Sequence, residues 1–163
     1  MRKTAIFETT DQDALLRTCE GDNEFVPTWL MMKCGMHPSD VSCAREKIII
    51  NGQFIEYHRA KNAKPRREMV PADVMPRLIS WLEHGRKLSR IGYYYLVSRI
   101  GARIGHPEYT PMTLRHTFCI QQLREYADNP DPIRLVSIKM GCSENIVSQN
   151  YIDLKDWQKV KNS

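Results

Sequence analysis

No apolar run in this 163-residue chain approaches the ~18 residues that a membrane-spanning helix needs. Internal repeats and low-complexity linkers are missing too. With 42% hydrophobic and 26% charged residues, disorder and collagen-like repeats are excluded. The N-terminus, Met1-Arg2-Lys3-Thr4-Ala5-Ile6-Phe7, begins as a secretory leader would. Glu8, Asp11 and Asp13 arrive before an apolar segment of sufficient length, so secretion is not expected. The five cysteines (Cys19, Cys34, Cys43, Cys119, Cys142) form no CxxC pair and are odd in number. A reduced, intracellular setting is expected. Cys34, His37 and Cys43 are spaced like metal ligands, but no second pair completes four-coordination, so no metal is expected.

What is present fits one domain able to bury roughly 70% of its unfolded surface. Lys plus Arg total 24 against 19 acidic residues, a net charge of +5. That balance suits a polyanionic partner without requiring one.

Helical period marks Thr10 to Cys19 and Phe25 to Lys33, the latter ending before Gly35. The period then switches. Lys47 to Ile50, the dipeptide Asn51-Gly52, and Gln53 to Arg59 read as strand, turn and strand. A basic turn, Lys61 to Arg67, leads into a third strand ending near Val70-Pro71. Helices are expected over Asp73 to His84, Ile91 to Ile104, Pro111 to Tyr126, Ile133 to Met140 and Glu144 to Asp153. The fold class is therefore mainly α with a small antiparallel β-sheet (α+β).

Three segments carry chemical signals. In the first, Thr110 suits an N-cap and Pro111 the first helical position. At about 100° per residue from Leu114, Arg115 and His116 fall inside the arc of Phe118, Cys119, Ile120, Leu123 and Tyr126. Thr117, Gln121, Arg124 and Glu125 take the opposite side. An arginine aimed into an apolar face needs an anion, either an internal carboxylate or a phosphate that its fork matches. The second signal is the cluster Lys61, Lys64, Arg66 and Arg67, offset only by Glu68. It reads equally as a nucleic-acid contact or as a solvated hairpin tip that blocks edge pairing. In the third, Gly141 ends one helix, Ser143 caps the next, and Tyr151 follows about two turns along.

Taken in order from Asp11 to Leu154, these segments resemble the catalytic domain of the tyrosine recombinase (phage integrase) family. The resemblance rests on Leu114-Arg115-His116-Thr117-Phe118 and on Met140-Gly141-x-Ser143 followed by Tyr151. Pro65-Arg66-Arg67-x-x-Val70-Pro71 and Gly35-Met36-His37-Pro38-Ser39-Asp40-Val41 add to it. It implies a cofactor-free enzyme that breaks and rejoins double-stranded DNA through a 3′-phosphotyrosyl link. Tyr151 would be the nucleophile, Arg115 the second of two arginines and His116 the accompanying histidine. Lys61 would be the hairpin lysine, with Lys64 as the alternative, and Lys61, Lys64, Arg66 and Arg67 would contact DNA.

Three positions depart from the family pattern. His37 stands where the first arginine belongs, Met112 where a histidine belongs, and Cys142 where His or Trp is usual. A histidine offers two ring donors at most and is half-neutral near pH ~6.5, so it is no permanent bidentate clamp. Methionine donates no proton, and a thiol is a weak donor. Arg59 and Arg45 are candidates to restore the missing charge. Two functions follow: a recombinase of weakened activity, catalytic through Tyr151, Arg115, Lys61, His116 and His37, or a DNA-binding module that keeps the fold without cleavage. A third, non-family reading is a helical protein whose basic turn is merely solvated. The expectation is one catalytic-type domain over the whole chain, with Leu154 closing the core. A polar tail carrying Trp157 follows it, and the opposing DNA-clamping domain usual at the family's N-terminus has no counterpart. Assembly as a homo-oligomer on DNA, a DNA-associated cytoplasmic location, and no membrane or small-molecule partner complete the reading.

Overall fold

A computed structural model describes residues 5, 6, 8–58 and 65–151, with the side chains of Asn150 and Tyr151 outside that description. The chain runs α1 (Thr9–Arg17), α2 (Asp22–Lys33), α3 (Pro38–Ser42), α4 (Ala44–Lys47), β1 (Ile49–Asn51), β2 (Phe54–Tyr57) and β3 (Arg66–Met69). It continues as α5 (Met75–His84), α6 (Arg90–Ala102), α7 (Pro111–Glu125), α8 (Pro132–Met140), α9 (Glu144–Ile146) and a π-helical segment, Val147–Tyr151. The mainly helical fold with one small sheet is as the sequence implies.

Two differences are local. The segment beginning at Lys47 starts as the last residue of α4, and extended chain begins only at Ile49. The hairpin loop is Gly52-Gln53 rather than Asn51-Gly52, because Asn51 still pairs with Phe54. Gly52 has φ 61° and no other residue type among those described has positive φ, the pattern of a turn with glycine at its first central position.

The sheet is antiparallel in the order β1-β2-β3. Ile55 opposes Glu68 and Tyr57 opposes Arg66. Directly opposed residues share a face. Ile55 and Tyr57 are buried, so Arg66 and Glu68 are carried inward with them. Phe54, Glu56, Arg67 and Met69 take the other face, where Arg67 lies 3.8 Å from the Phe54 ring centroid and 3.8 Å from Glu56 Oε1.

Two apolar clusters form the interior. The larger joins α2 (Val26, Trp29, Leu30, Met31, Met32) to the sheet, α5 and α6. The smaller gathers Phe118, Cys119, Ile120 and Leu123 of α7 with Val136 and Met140 of α8 and with Val147. Helix α7 packs on α2, α6 and α8 and connects the two clusters. Its Leu114 belongs to the larger cluster and Phe118 to the smaller, so Arg115, His116 and Thr117 occupy the seam.

Of the polar side expected for α7, Glu125 is exposed and Gln121 and Arg124 are half-buried, but Thr117 is inside. Thr117 is fully buried, accepts from the Ile6 N–H at 2.8 Å and donates to the Thr113 carbonyl at 2.8 Å. Gln122 is buried as well. A hydroxyl satisfied by local backbone no longer needs water, which is how a threonine joins a core.

Candidate active site

The start of α7 is set by its own residues. Thr110 Oγ1 accepts from the Thr113 N–H at 3.4 Å, and Thr113 Oγ1 accepts from the Thr110 N–H at 3.1 Å. Pro111 follows the cap, where its missing N–H leaves no helix bond unmade. This fixes the phase of the helix and delivers Arg115 and His116 to the seam, 0% and 2% exposed. A charged guanidinium held there is the strongest electrostatic feature of the helix.

Opposite it lies the inward face of the sheet. Arg66 Nη2 donates to the Cys34 carbonyl at 2.8 Å, and the Tyr57 hydroxyl donates to the same oxygen at 3.2 Å. Cys34 is the C-cap of α2, where the helix dipole concentrates negative charge and favours a cation. The Arg66 guanidinium stacks 5.1 Å from the Tyr57 ring centroid and 5.6 Å from that of Phe118, three residues beyond Arg115. Burial pushes the Tyr57 hydroxyl well above the usual phenol range, and Arg66 and Arg115 both oppose that shift.

Glu68 closes this wall, 3.4 Å from Arg66 Nη2 and 3.7 Å from Lys139 Nζ of α8. Burial raises its carboxyl above the ordinary range, opposed by Lys139 and Arg66. Burial likewise pushes the Cys119 thiol up to about 12, with Cys142 adding to the rise.

The loop after α2 is locked to this centre. Gly35 has φ 66°, and a Cβ built there would lie 2.3 Å from Phe118 Cδ1. Only glycine lets the loop backbone approach the Phe118 ring so closely. Two residues on, His37 caps α3: its Nδ1 accepts from the Ser39 N–H at 3.1 Å. That ring nitrogen thus acts as a helix cap.

Met112 and Cys142 are both half-buried against the smaller cluster. Arg67 faces solvent on the far side of the sheet, whereas Arg66, expected at a solvated tip, is 7% exposed. Arg45 is turned away, with its Nε donating to the Leu82 carbonyl at 3.0 Å and Nη2 to that of Glu83. Lys61, Lys64, Arg59 and Trp157 lie outside the described residues.

The backbone approaching Tyr151 is π-helical rather than a continued α-helix. It starts after α9, which Ser143 caps by accepting from the Ile146 N–H at 3.2 Å, and it packs on α7 and α8. The segment ending at Tyr151 thus packs on the helix that carries Arg115. Tyr57, Glu68 and Lys139 had no assigned role in the sequence. Strand alternation at positions 55, 57, 66 and 68 is the signal that points the first two inward. Lys139 carries none, since its role depends on how α8 docks.

No family model and no curated protein matches the chain by sequence. Among solved structures, it is similar to the XerH site-specific recombinase bound to a palindromic difH substrate in a post-cleavage complex. That match has a TM-score of 0.65, 16% identity, 93% of this chain and 50% of that one. The pre-cleavage complex of XerH with difH matches with a TM-score of 0.64 and 16% identity, over 98% of this chain and 54% of that one. The chain spans about half the length of the recombinase chains it matches. With its helical layers and three-stranded sheet, the chain has the fold of a tyrosine recombinase catalytic domain.

Proposed function

We propose that this chain is a site-specific DNA strand-exchange domain working through Tyr151. The oxygen of Tyr151 attacks a phosphodiester, the bond from phosphorus to the 5′ oxygen breaks, and a 3′-phosphotyrosyl link remains. The phenolic proton leaves to a base, and the departing 5′ oxygen takes up a proton. The 5′ hydroxyl of another strand later reverses the step. A phenol with pKa near ~10 needs both proton removal and a polarised phosphate. Arg115 is assigned the polarising role, and His116 and Lys61, with Lys64 as the alternative, the proton transfers. Clamps aimed at charge that develops on a phosphoryl group commonly supply the largest share of such catalysis.

One observation carries the reading. Arg115 is fully buried at the seam of a recombinase-type fold, on the helix against which the segment ending at Tyr151 packs. The net charge of +5 supports a DNA partner, and assembly of several copies on DNA is part of the proposal.

A second reading has its own support. His37 Nδ1 serves as a cap, and Met112 and Cys142 pack in an apolar cluster, so three site positions lack the strong donors of an efficient enzyme. The alternative is a DNA-binding module without cleavage. A fluorescent suicide duplex, whose cleaved end diffuses away, separates the two. The enzyme reading expects a denaturation-resistant adduct that is lost in Tyr151→Phe. DNA binding with no adduct at any pH would establish the binding module. Affinity that does not change with salt would refute a phosphate-dominated partner altogether.

A further inference from the structure

Arg66 is the other buried guanidinium of this site, and its surroundings do not account for all of it. Its Nη2 is committed to the Cys34 carbonyl and to Glu68. Its Nε is buried with no hydrogen-bond partner, and no bond among the described residues uses Nη1. Glu68 stands 3.4 Å from Arg66 and 3.7 Å from Lys139, so one carboxylate is shared between two cations. Arg66 stacks on Tyr57 and on Phe118 of α7. An anion with two acceptor oxygens takes up the spare donors of its fork.

We infer that Arg66 is a second phosphate-binding guanidinium of this site, with the phosphodiester as its ligand. The identity of that ligand rests on the strand-exchange reading; the anion pocket itself does not. Arg66 comes from the strand after the hairpin and reaches the C-terminus of α2 from the sheet side. It delivers charge three residues before His37, on the same loop that Gly35 locks against Phe118.

The test uses inorganic vanadate, which adopts the five-coordinate geometry of phosphoryl transfer, titrated into the full chain and followed by vanadium NMR. Arg66→Met is expected to weaken binding by about tenfold or more, as is Arg115→Met. Arg90→Met, at the exposed first residue of α6, should bind as the unaltered chain does. Should Arg66→Met fail to fold, Arg66→Gln decides, because its amide can still donate to the Cys34 carbonyl. Unchanged affinity in the folded Arg66 variant, or no vanadate binding by the folded parent protein, overturns the inference. The suicide-duplex assay reports separately. A missing adduct with the vanadate pattern intact refutes strand exchange and leaves the Arg66 pocket standing, whereas an adduct with unaltered vanadate affinity refutes only the pocket.

Discussion

Arg115 and Arg66 show why a residue's chemistry depends on where its backbone puts it. Arg115 could be read directly: Leu114, Phe118 and Cys119 surround it at helical spacing, so its burial follows from the period. Arg66 and Arg67 are neighbours of identical type with opposite fates. Which one turns inward depends on the pairing of Tyr57 with Arg66, a tertiary register that composition does not carry. The basic cluster seen as one patch is, among its described members, split between the two faces of the sheet. Gly35 is the residue on which the loop's approach to α7 depends. Gly35→Ala must combine positive φ with a 2.3 Å clash against Phe118 Cδ1. It is expected to destabilise the fold by about 1–3 kcal/mol, read as a lower urea midpoint. An unaltered midpoint would mean that the loop and α7 are not in this contact.

At the scale of elements, polar residues do more of the joining than hydrophobic period alone suggests. Helix α7 has an amphipathic period, yet Thr117 and Gln122 are buried, because α2, α6 and α8 surround the helix and the Thr117 hydroxyl finds a local backbone partner. The ends of helices were more legible, since caps are local: Thr110, Ser143 and Gly141 each terminate a helix where turn chemistry puts them. The π-helical turn before Tyr151 carries no comparable local marker, and its sequence has the period of ordinary helix.

Glu24 of α2 is a second polar joint. Arg103 Nη1 donates to it at 2.6 Å, Arg99 Nη2 at 3.2 Å and the Glu20 N–H at 2.8 Å. Burial alone would raise its carboxyl, but these donors outweigh burial and lower it from 4.5 to about 2. The folded state therefore binds this proton less readily than the unfolded chain. The stabilisation is complete above pH 4.5 and disappears as pH falls towards 2. Glu24→Gln is expected to lose on the order of 2–3 kcal/mol at pH 7 and to flatten the acid side of the stability profile. Equal acid sensitivity in the variant and the parent chain would remove Glu24 from that account.

At the scale of the whole molecule, the two apolar clusters and the helix between them place charge deep inside a small basic domain. The larger cluster supports the sheet wall carrying Tyr57 and Arg66, and the smaller supports the segment leading to Tyr151. Met112 and Cys142 sit against the smaller cluster, where they contribute apolar contact. Apolar packing at these positions supports the fold, and fold alone does not decide activity. The general layout followed from the order of periods along the chain, whereas Lys139 and Glu68 meet only because α8 docks beside β3.

The buried guanidinium on α7 is the element on which the functional account depends, and its contribution can be measured alone. Adduct formation on a suicide duplex should be timed for the unaltered chain and for Arg115→Met, with unfolding midpoints as the control for folding. A rate lowered by about 10³-fold or more in a folded variant is the expected result. Adduct accumulating at the parent rate in folded Arg115→Met would contradict it.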